Sequence, residues 1–407
     1  MATKRLYRQD AYLTQNTTTI NSIEKTDGFD VIICNESVFF PEGGGQPCDV
    51  GTVSFGADIY NITDVYDKDL QGDVYHLTDA PEGTFSVGDE VCLSINWDNR
   101  FSNMQRHSGE HMFSGTFHTL FGGVNKGFHI GEDYVTMDID LDGAILTDEE
   151  IDLAERTVND AIWANLPIRI SVFDSYEESL VMPVRKKVPH EGSVSIATVG
   201  DLPNPYDCIA CCGTLPSYSA EIGILVVYKN ESYKGMNRIY FDCGFKAKEK
   251  LTQDMKLLNS IANKYSCSTE DIIYKLDLID EEISSLKVAN AKLAAYIKDN
   301  EKNRILSEIN TGDENIFIYS LSLLKTDDLL KLGFSVINET KNKLLLLIHP
   351  ETLTCLIFSS GDIKCGRFIK ENAPLYNGRG GGKDDHARAV FQNMTDMKAF
   401  ADAISSM

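Results

Sequence analysis

The chain holds 407 residues, room for two to four domains at about 100–200 residues each. A composition of 43% hydrophobic and 24% charged residues, with 30 Gly and 11 Pro, excludes collagen-like, low-complexity and wholly disordered classes. The formal charge of −23 is concentrated in residues 1–245, with 16 basic against 38 acidic groups, which argues against indiscriminate phosphate binding. Any nucleic-acid partner must therefore be held by local basic groups.

No apolar run approaches the roughly 20 residues of a bilayer span. The N-terminus carries basic residues with no apolar core behind them, so no secretory leader and no membrane partner are expected and the cytoplasm is the default compartment. Ten cysteines are too sparse for a disulfide scaffold. Cys34, Cys48, Cys92, Cys243, Cys267, Cys355 and Cys365 are scattered and read as buried fillers, whereas Cys208, Cys211 and Cys212 are clustered and raise a metal question.

The expected fold class is α+β in four parts. Residues 1–95 alternate apolar and polar positions in short runs separated by Gly, Asp and Asn, which predicts a small β-barrel-like domain. Residues 96–245 form an α+β domain. They open with a helix from Asp98 to the glycines at 122–123, and a second, acidic helix is expected near Asp148 to Asn165. Residues 246–311 become rich in Lys, Glu, Leu and Ala and predict a helical linker, with Ser268 and Asp271 resembling a capping box at the second helix. Apolar residues at 272, 276, 279, 283, 286, 293 and 297 mark a heptad seam interrupted by Asn290. A homodimer through the 270–300 helix and a helix folded back on its own chain both satisfy that seam. Residues 312–407 alternate strands and helices, predicting a compact α/β domain with a helix near Lys383 to Asn393.

Four local patterns carry chemistry. In His107-Ser-Gly-Glu-His111 two imidazoles at i and i+4 face the same way on a helix, the spacing for two ligands to one divalent ion. Glu110, just before the second His, is expected to point about 100 degrees away from it. Cys208-Ile-Ala-Cys211-Cys212-Gly-Thr214 supplies thiolates, which with imidazoles suit zinc. Phe39 to Pro47 contains three glycines beside Gln46, a turn that brings backbone close to another group and presents a donor and an acceptor. Tyr376 to Lys383 is a second glycine-rich turn; before a helix it would form an anion site with Arg379 and Lys383.

Taken in order along the chain, these motifs resemble the freestanding alanyl-tRNA editing proteins of the long AlaX-like form, relatives of the editing domain of alanyl-tRNA synthetase. The likeness is carried by Phe40 to Pro47, Met104 to His111, Gly127-Phe128-His129, Cys211 to Thr214, Glu221-Ile222-Gly223 and Arg238-Ile239-Tyr240. The tail from Asn377 to Lys383 is similar to the C-terminal domain shared by alanyl-tRNA synthetase and DHH-type phosphoesterases. The resemblance implies a trans-editing deacylase that hydrolyses seryl or glycyl esters of mischarged tRNA(Ala), with zinc as cofactor; the synthetase kinship brings ATP binding as a further expectation. The zinc ligands it implies are His107, His111 and Cys211. The fourth family position holds Leu215, which cannot ligate. Cys208 is favoured as the replacement, with Cys212 or a water molecule as alternatives.

Polar groups near the metal are needed, because a site that hydrogen-bonds a hydroxyl rejects the analogue lacking it far better than a pocket rejects by size. Gln46 and Thr214 are the candidates, with His129 as candidate general base. For RNA the expected phosphate contacts are Arg100, Arg106, Arg185, Lys186, Lys187 and Arg238, with Arg379 and Lys383 gripping tRNA from the tail. A catalytically impaired RNA-binding relative is one alternative. A phosphoesterase is another, disfavoured because no DHH triplet is present.

Overall fold

A computed structural model describes residues 2–68, 72–188 and 192–407. The protein is mixed α+β, and the chain forms two compact units, Met1–Ser260 and Ile261–Met407.

The first unit begins with six strands: β1 (Gln15–Thr26), β2 (Phe29–Cys34), β3 (Gly51–Phe55), β4 (Asp58–Asp67), β5 (Val74–Pro81) and β6 (Glu90–Ile95). They close into an antiparallel barrel of order β1-β2-β5-β4-β3-β6, so no edge is left unpaired. Alternation decides the inside: Ile20, Ile32, Val53, Ile62, Val65, Val74, Val91 and Leu93 fill it.

His76 is fully buried in this barrel. Its Nδ1 lies 3.0 Å from the Ile32 carbonyl oxygen, which can only accept, so Nδ1 carries the proton; Nε2 then accepts from Ser37 Oγ at 2.7 Å. Burial pushes its pKa down to about 4. A folded value below the unfolded one of about 6.5 contributes stability that is present above pH 6.5 and is lost as the pH falls toward 4. A shift of that size is worth up to about 3 kcal/mol. The urea midpoint of wild type is therefore expected to fall more steeply between pH 7 and 4.5 than that of His76→Gln; parallel curves would contradict this assignment.

After the barrel, Asn96 caps α1 (Trp97–Phe121) by accepting from the Asn99 amide at 3.1 Å, and Gly122 at φ 70° ends it. From Ser102 to Phe117 every residue of α1 is buried, so its polar side chains there lie inside the unit. Strands β7 (Val124–Ile130) and β8 (Val135–Asp140) follow, then α2 (Asp148–Trp163), opened by a capping box between Thr147 and Glu150. Next come β9 (Ile168–Phe173), β10 (Val194–Val199), β11 (Asp207–Ala210), β12 (Leu225–Tyr233) and β13 (Met236–Cys243), and then α3 (Gly244–Tyr265). Two antiparallel sheets result, β12-β13-β8-β7 and β9-β10-β11. Phe113, Phe117, Met137, Val158, Ile239 and Phe241 join α1, α2 and the larger sheet in one core.

In the second unit, α4 (Ile272–Thr311) is 40 residues long, about 60 Å at 1.5 Å per residue. Asp271 stands at its N-cap, and the Ser268 hydroxyl donates to the Asp271 carboxylate at 2.7 Å, so the expected capping box does not form. Its last turns are anchored by Ile305 and Ile309 in the core of this unit, with Ala294 and Ile297 packed against it, and Ile272 is buried at its start. On the heptad seam Ile283, Leu286 and Leu293 are exposed, as is Asn290.

The remainder runs β14 (Ile316–Ser320), α5 (Thr326–Ile337), β15 (Leu344–His349), β16 (Thr354–Ser359), α6 (Cys365–Asn372), β17 (Arg379–Gly382), β18 (His386–Val390) and α7 (Met394–Ser405). The sheet order is β14-β15-β16-β18-β17, parallel only between β14 and β15. The helix expected at 383–393 is instead strand β18, in which Ala387 and Ala389 are buried while Arg388 is exposed, a period of two. The anion site expected at a helix N-terminus here falls with that helix. The glycines serve close packing: a Cβ on Gly382 would stand 2.4 Å from the Ala387 Cα, and one on Gly366 would stand 2.2 Å from the Gly382 carbonyl oxygen. Arg379 and Lys383 are exposed. Among the described residues, no helix is long and apolar enough to cross a membrane.

Candidate metal centre

Helix α1 places His107 and His111 one turn apart, with ring centroids separated by 4.6 Å. The turn after β11 brings Cys211 against them, Sγ lying 3.5 Å from His107 Nε2. One donor atom from each of His107, His111 and Cys211 lies within 4.8 Å of the other two, and all three residues are buried. Among the described residues, these three form the group able to hold a metal ion.

The orientation of His107 follows from its neighbours. The Thr214 backbone amide donates at 3.1 Å to the side-chain oxygen of Gln46, so that atom is an acceptor. It lies 2.8 Å from His107 Nδ1, which therefore carries the proton and leaves a lone pair on Nε2, the nitrogen facing Cys211. Gln46 Nε2 in turn donates to Thr214 Oγ1 at 2.8 Å. Gln46 is fully buried and has its oxygen engaged twice, so it orients a ligand and does not reach substrate as expected. A partner of this kind is worth about 10–100-fold in metal affinity. Gln46→Leu is accordingly expected to weaken binding by that factor in a chelator competition, while Gln46→Glu, which keeps an acceptor, retains most of it.

His111 differs. Both its ring nitrogens are buried without a hydrogen-bond partner. Glu110 Oε2 lies 3.2 Å from Nδ1, but the angles do not make a hydrogen bond. Two orphaned nitrogens in one buried ring fit a centre whose missing partner is a cation. Burial keeps both rings neutral, lowering His107 to about 3 and His111 to about 4, and raises the Cys211 thiol. Neutral imidazole is the ligating form, while a thiol must lose its proton to a metal.

The centre opens into a cavity of about 700 Å³, within the range of small-molecule sites. Glu110, Phe128 and Thr214 line it, as do Arg8, Lys186 and Lys187. Gly45, at φ 81°, lies under the Phe128 ring, where a Cβ would come within 2.5 Å of it.

Several expected site residues lie elsewhere. Cys208 is not a ligand: strand alternation turns it into a separate apolar cluster with Met182, Val188 and Ile196, its sulfur 3.8 Å from Thr198 Oγ1. Cys212 lines the cavity but lies outside the ligand group. His129 is exposed, because alternation in β7 gives the cavity Phe128 and turns the next side chain away, so it cannot act as general base. Leu215 is buried in the apolar core.

Arg100 and Arg106 do not contact phosphate either. Arg100 is fully buried, with Nε 2.9 Å from both oxygens of Asp49, and Arg106 forms a buried bidentate pair with Asp242 at 2.7 and 2.8 Å. Arg238 pairs with Asp138 at 2.7 Å and Arg185 with Asp207 at 2.6 Å. Lys186 and Lys187 remain exposed on the cavity rim.

Glu110 is the group missed from sequence. It is expected to point about 100 degrees away from His111, yet it stands three residues after His107, where i,i+3 positions are neighbours on a helix face, and its carboxylate reaches to 3.2 Å from His111 Nδ1. It is 1% exposed and burial raises its carboxyl to about 7.

Residues 6–99 match the family described as tRNA synthetases class II (A). The chain is 26% identical over 392 residues to the alanyl-tRNA editing protein AlaX-L of Pyrococcus horikoshii, covering 95% of this chain and 94% of that protein. The chain is thus similar along nearly its whole length to an alanyl-tRNA editing protein. It is also 27% identical over 304 residues to an alanyl-tRNA editing protein of Bos taurus, covering 70% of this chain and 65% of that one. Against an alanine–tRNA ligase of Lactococcus lactis the identity is 25% over 381 residues, 90% of this chain but 42% of the ligase. Most of this chain thus has counterparts in freestanding editing proteins and in a longer ligase.

Proposed function

We propose that the protein is a trans-editing deacylase, hydrolysing the ester that joins a wrong amino acid, serine or glycine, to the 3′ ribose of tRNA(Ala). One observation carries this reading: two neutral imidazoles and a thiol meet at one wall of an open cavity, in a chain similar along nearly its whole length to a named editing protein. In the reaction a water oxygen bonds to the carbonyl carbon, the carbon–oxygen bond to the ribose breaks, and the ribose oxygen takes a proton.

The donor set of His107, His111 and Cys211 suits zinc. A tetrahedral zinc with bonds of about 2.0 Å to nitrogen and 2.3 Å to sulfur separates such donors by about 3.5 Å, the separation found between His107 Nε2 and Cys211 Sγ. A bound zinc ion supplies a positive charge that polarises a carbonyl and acidifies water. Three protein ligands are the usual complement of a catalytic zinc, so Leu215 leaves a complete set.

The remaining residues bind and orient. Thr214 Oγ1 accepts from Gln46, which leaves its own proton for the serine hydroxyl. Phe128 offers a ring for the terminal base, and Lys186 and Lys187 stand where the chain of phosphates enters. In the second unit we assign Arg379 and Lys383, on a domain like that of DHH-type phosphoesterases, to a more distant part of the tRNA. Such work belongs in the cytoplasm.

The test is release of amino acid from tRNA(Ala) charged with serine, glycine or alanine. Seryl and glycyl esters are expected to be cleaved in a zinc-dependent manner and the alanyl ester spared. Equal cleavage of all three, or of none, overturns the reading.

A further inference from the structure

We propose that Glu110 is the receptor for the α-ammonium group of the aminoacyl ester, so that the cavity selects esters with a free amine. This rests on the deacylase reading for the substrate class, but its argument lies in the cavity itself.

A buried carboxylate is costly unless something compensates its charge. Glu110 is 1% exposed and lines the cavity beside His107, His111 and Cys211. Its Oε1 accepts from Asn125 Nδ2 at 2.5 Å, which fixes the side chain. Oε2 lies 3.2 Å from His111 Nδ1 outside hydrogen-bond geometry, and among the described residues no other hydrogen bond to it and no ion pair to a Lys or Arg is formed. Arg185 and Lys186 line the same cavity. Arg185 is held by Asp207, and the Lys186 ammonium lies 3.5 Å from the Asn125 carbonyl oxygen. One side of the carboxylate therefore faces the cavity without a cation from the protein.

The substrate brings one. An aminoacyl ester carries an ammonium nitrogen two bonds from the carbonyl carbon, about 2.5 Å away by standard geometry. Seating that ammonium on Glu110 places the ester carbonyl next to the wall where the three donors converge. An ester whose amine is acylated lacks that charge. Service as a fourth metal donor is the other use of a carboxylate here; Asn125 holds one oxygen, and Glu110 falls outside the set whose donor atoms lie within 4.8 Å of one another.

Three measurements on the full-length protein decide the matter. The first compares binding of 3′-seryl-amido-3′-deoxyadenosine, which cannot be hydrolysed, with its N-acetyl derivative. Wild type is expected to bind the free amine about ten- to a hundredfold more tightly, the size of a charge-assisted hydrogen bond. The second repeats this with Glu110→Gln, where the preference should fall to within about twofold. The third measures zinc affinity, expected to be the same in wild type and variant. Equal binding of the two analogues by wild type overturns the proposal and needs no variant to fold. Loss of zinc affinity in Glu110→Gln also overturns it, in favour of metal ligation. A free-amine preference without ester cleavage would leave Glu110 as assigned and remove the deacylase reading instead.

Discussion

Cys211→Ala and His111→Ala should each yield protein without stoichiometric zinc and lower ester hydrolysis by at least about 10³-fold. Polarisation by a metal is worth several kcal/mol of barrier, and every 1.36 kcal/mol is tenfold in rate. The effect is large because each residue is one of only three in the ligand group, and among the described residues no further Cys or His joins it. Leu215 is apolar, Cys212 is outside the ligand group, and Cys208 faces a different cluster. Metal content by mass spectrometry and single-turnover deacylation read the two losses separately. Cys208→Ala is the contrasting variant: it removes a buried sulfur yet should keep full metal content. Loss of metal from Cys208→Ala would return that residue to the ligand set.

Arg100→Met is expected to destabilise the first unit by about 3–5 kcal/mol, the usual result of stripping one partner from a buried ion pair. Arg100 spans from the first turn of α1 to three separate segments. Its guanidinium meets Asp49, the Ala11 carbonyl at 2.8 Å and the Val38 carbonyl at 2.6 Å, and Asp49 also accepts from the Phe40 amide at 2.6 Å. The substitution leaves Asp49 charged, buried and unpaired. Replacing both residues, Asp49→Leu with Arg100→Met, should recover much of the loss, although the two carbonyls stay unsatisfied. Both tryptophans, Trp97 and Trp163, lie in the first unit, so their fluorescence in urea reports this transition. A change below about 1 kcal/mol for the single variant would show that water replaces the guanidinium.

Why some of this was legible in the sequence and some not follows from the range of each interaction. The helix bearing the imidazoles was readable because its signals are local: apolar spacing of three and four and a terminal glycine. The barrel was readable through strand alternation, and the acidic helix expected near 148–165 is α2, Asp148–Trp163. His107, His111 and Cys211 come together because the spacing of the pair and the turn at Gly213 are each short motifs.

What failed required knowing which face a residue takes. Cys208 has attractive spacing to Cys211, but it sits on a strand, where one position decides the side. His129 failed for the same reason beside Phe128. The arginines failed because sequence does not say that Asp49 or Asp242, 51 and 136 residues away, already occupies a guanidinium. The tail helix failed because alanine has a high helix propensity, and Ala387 and Ala389 were placed in a strand by burial on one side.

The backbone at residue 213 runs so close to the centre that a Cβ there would stand 2.3 Å from His107 Cε1 and 2.6 Å from the Gln46 side-chain oxygen. One added methyl would therefore evict the imidazole from its seat while leaving every donor atom in the chain. Gly213→Ala is thus a knock-out by crowding: a protein with the full roster of ligands and no place for them to meet, which separates possession of the right elements from their assembly.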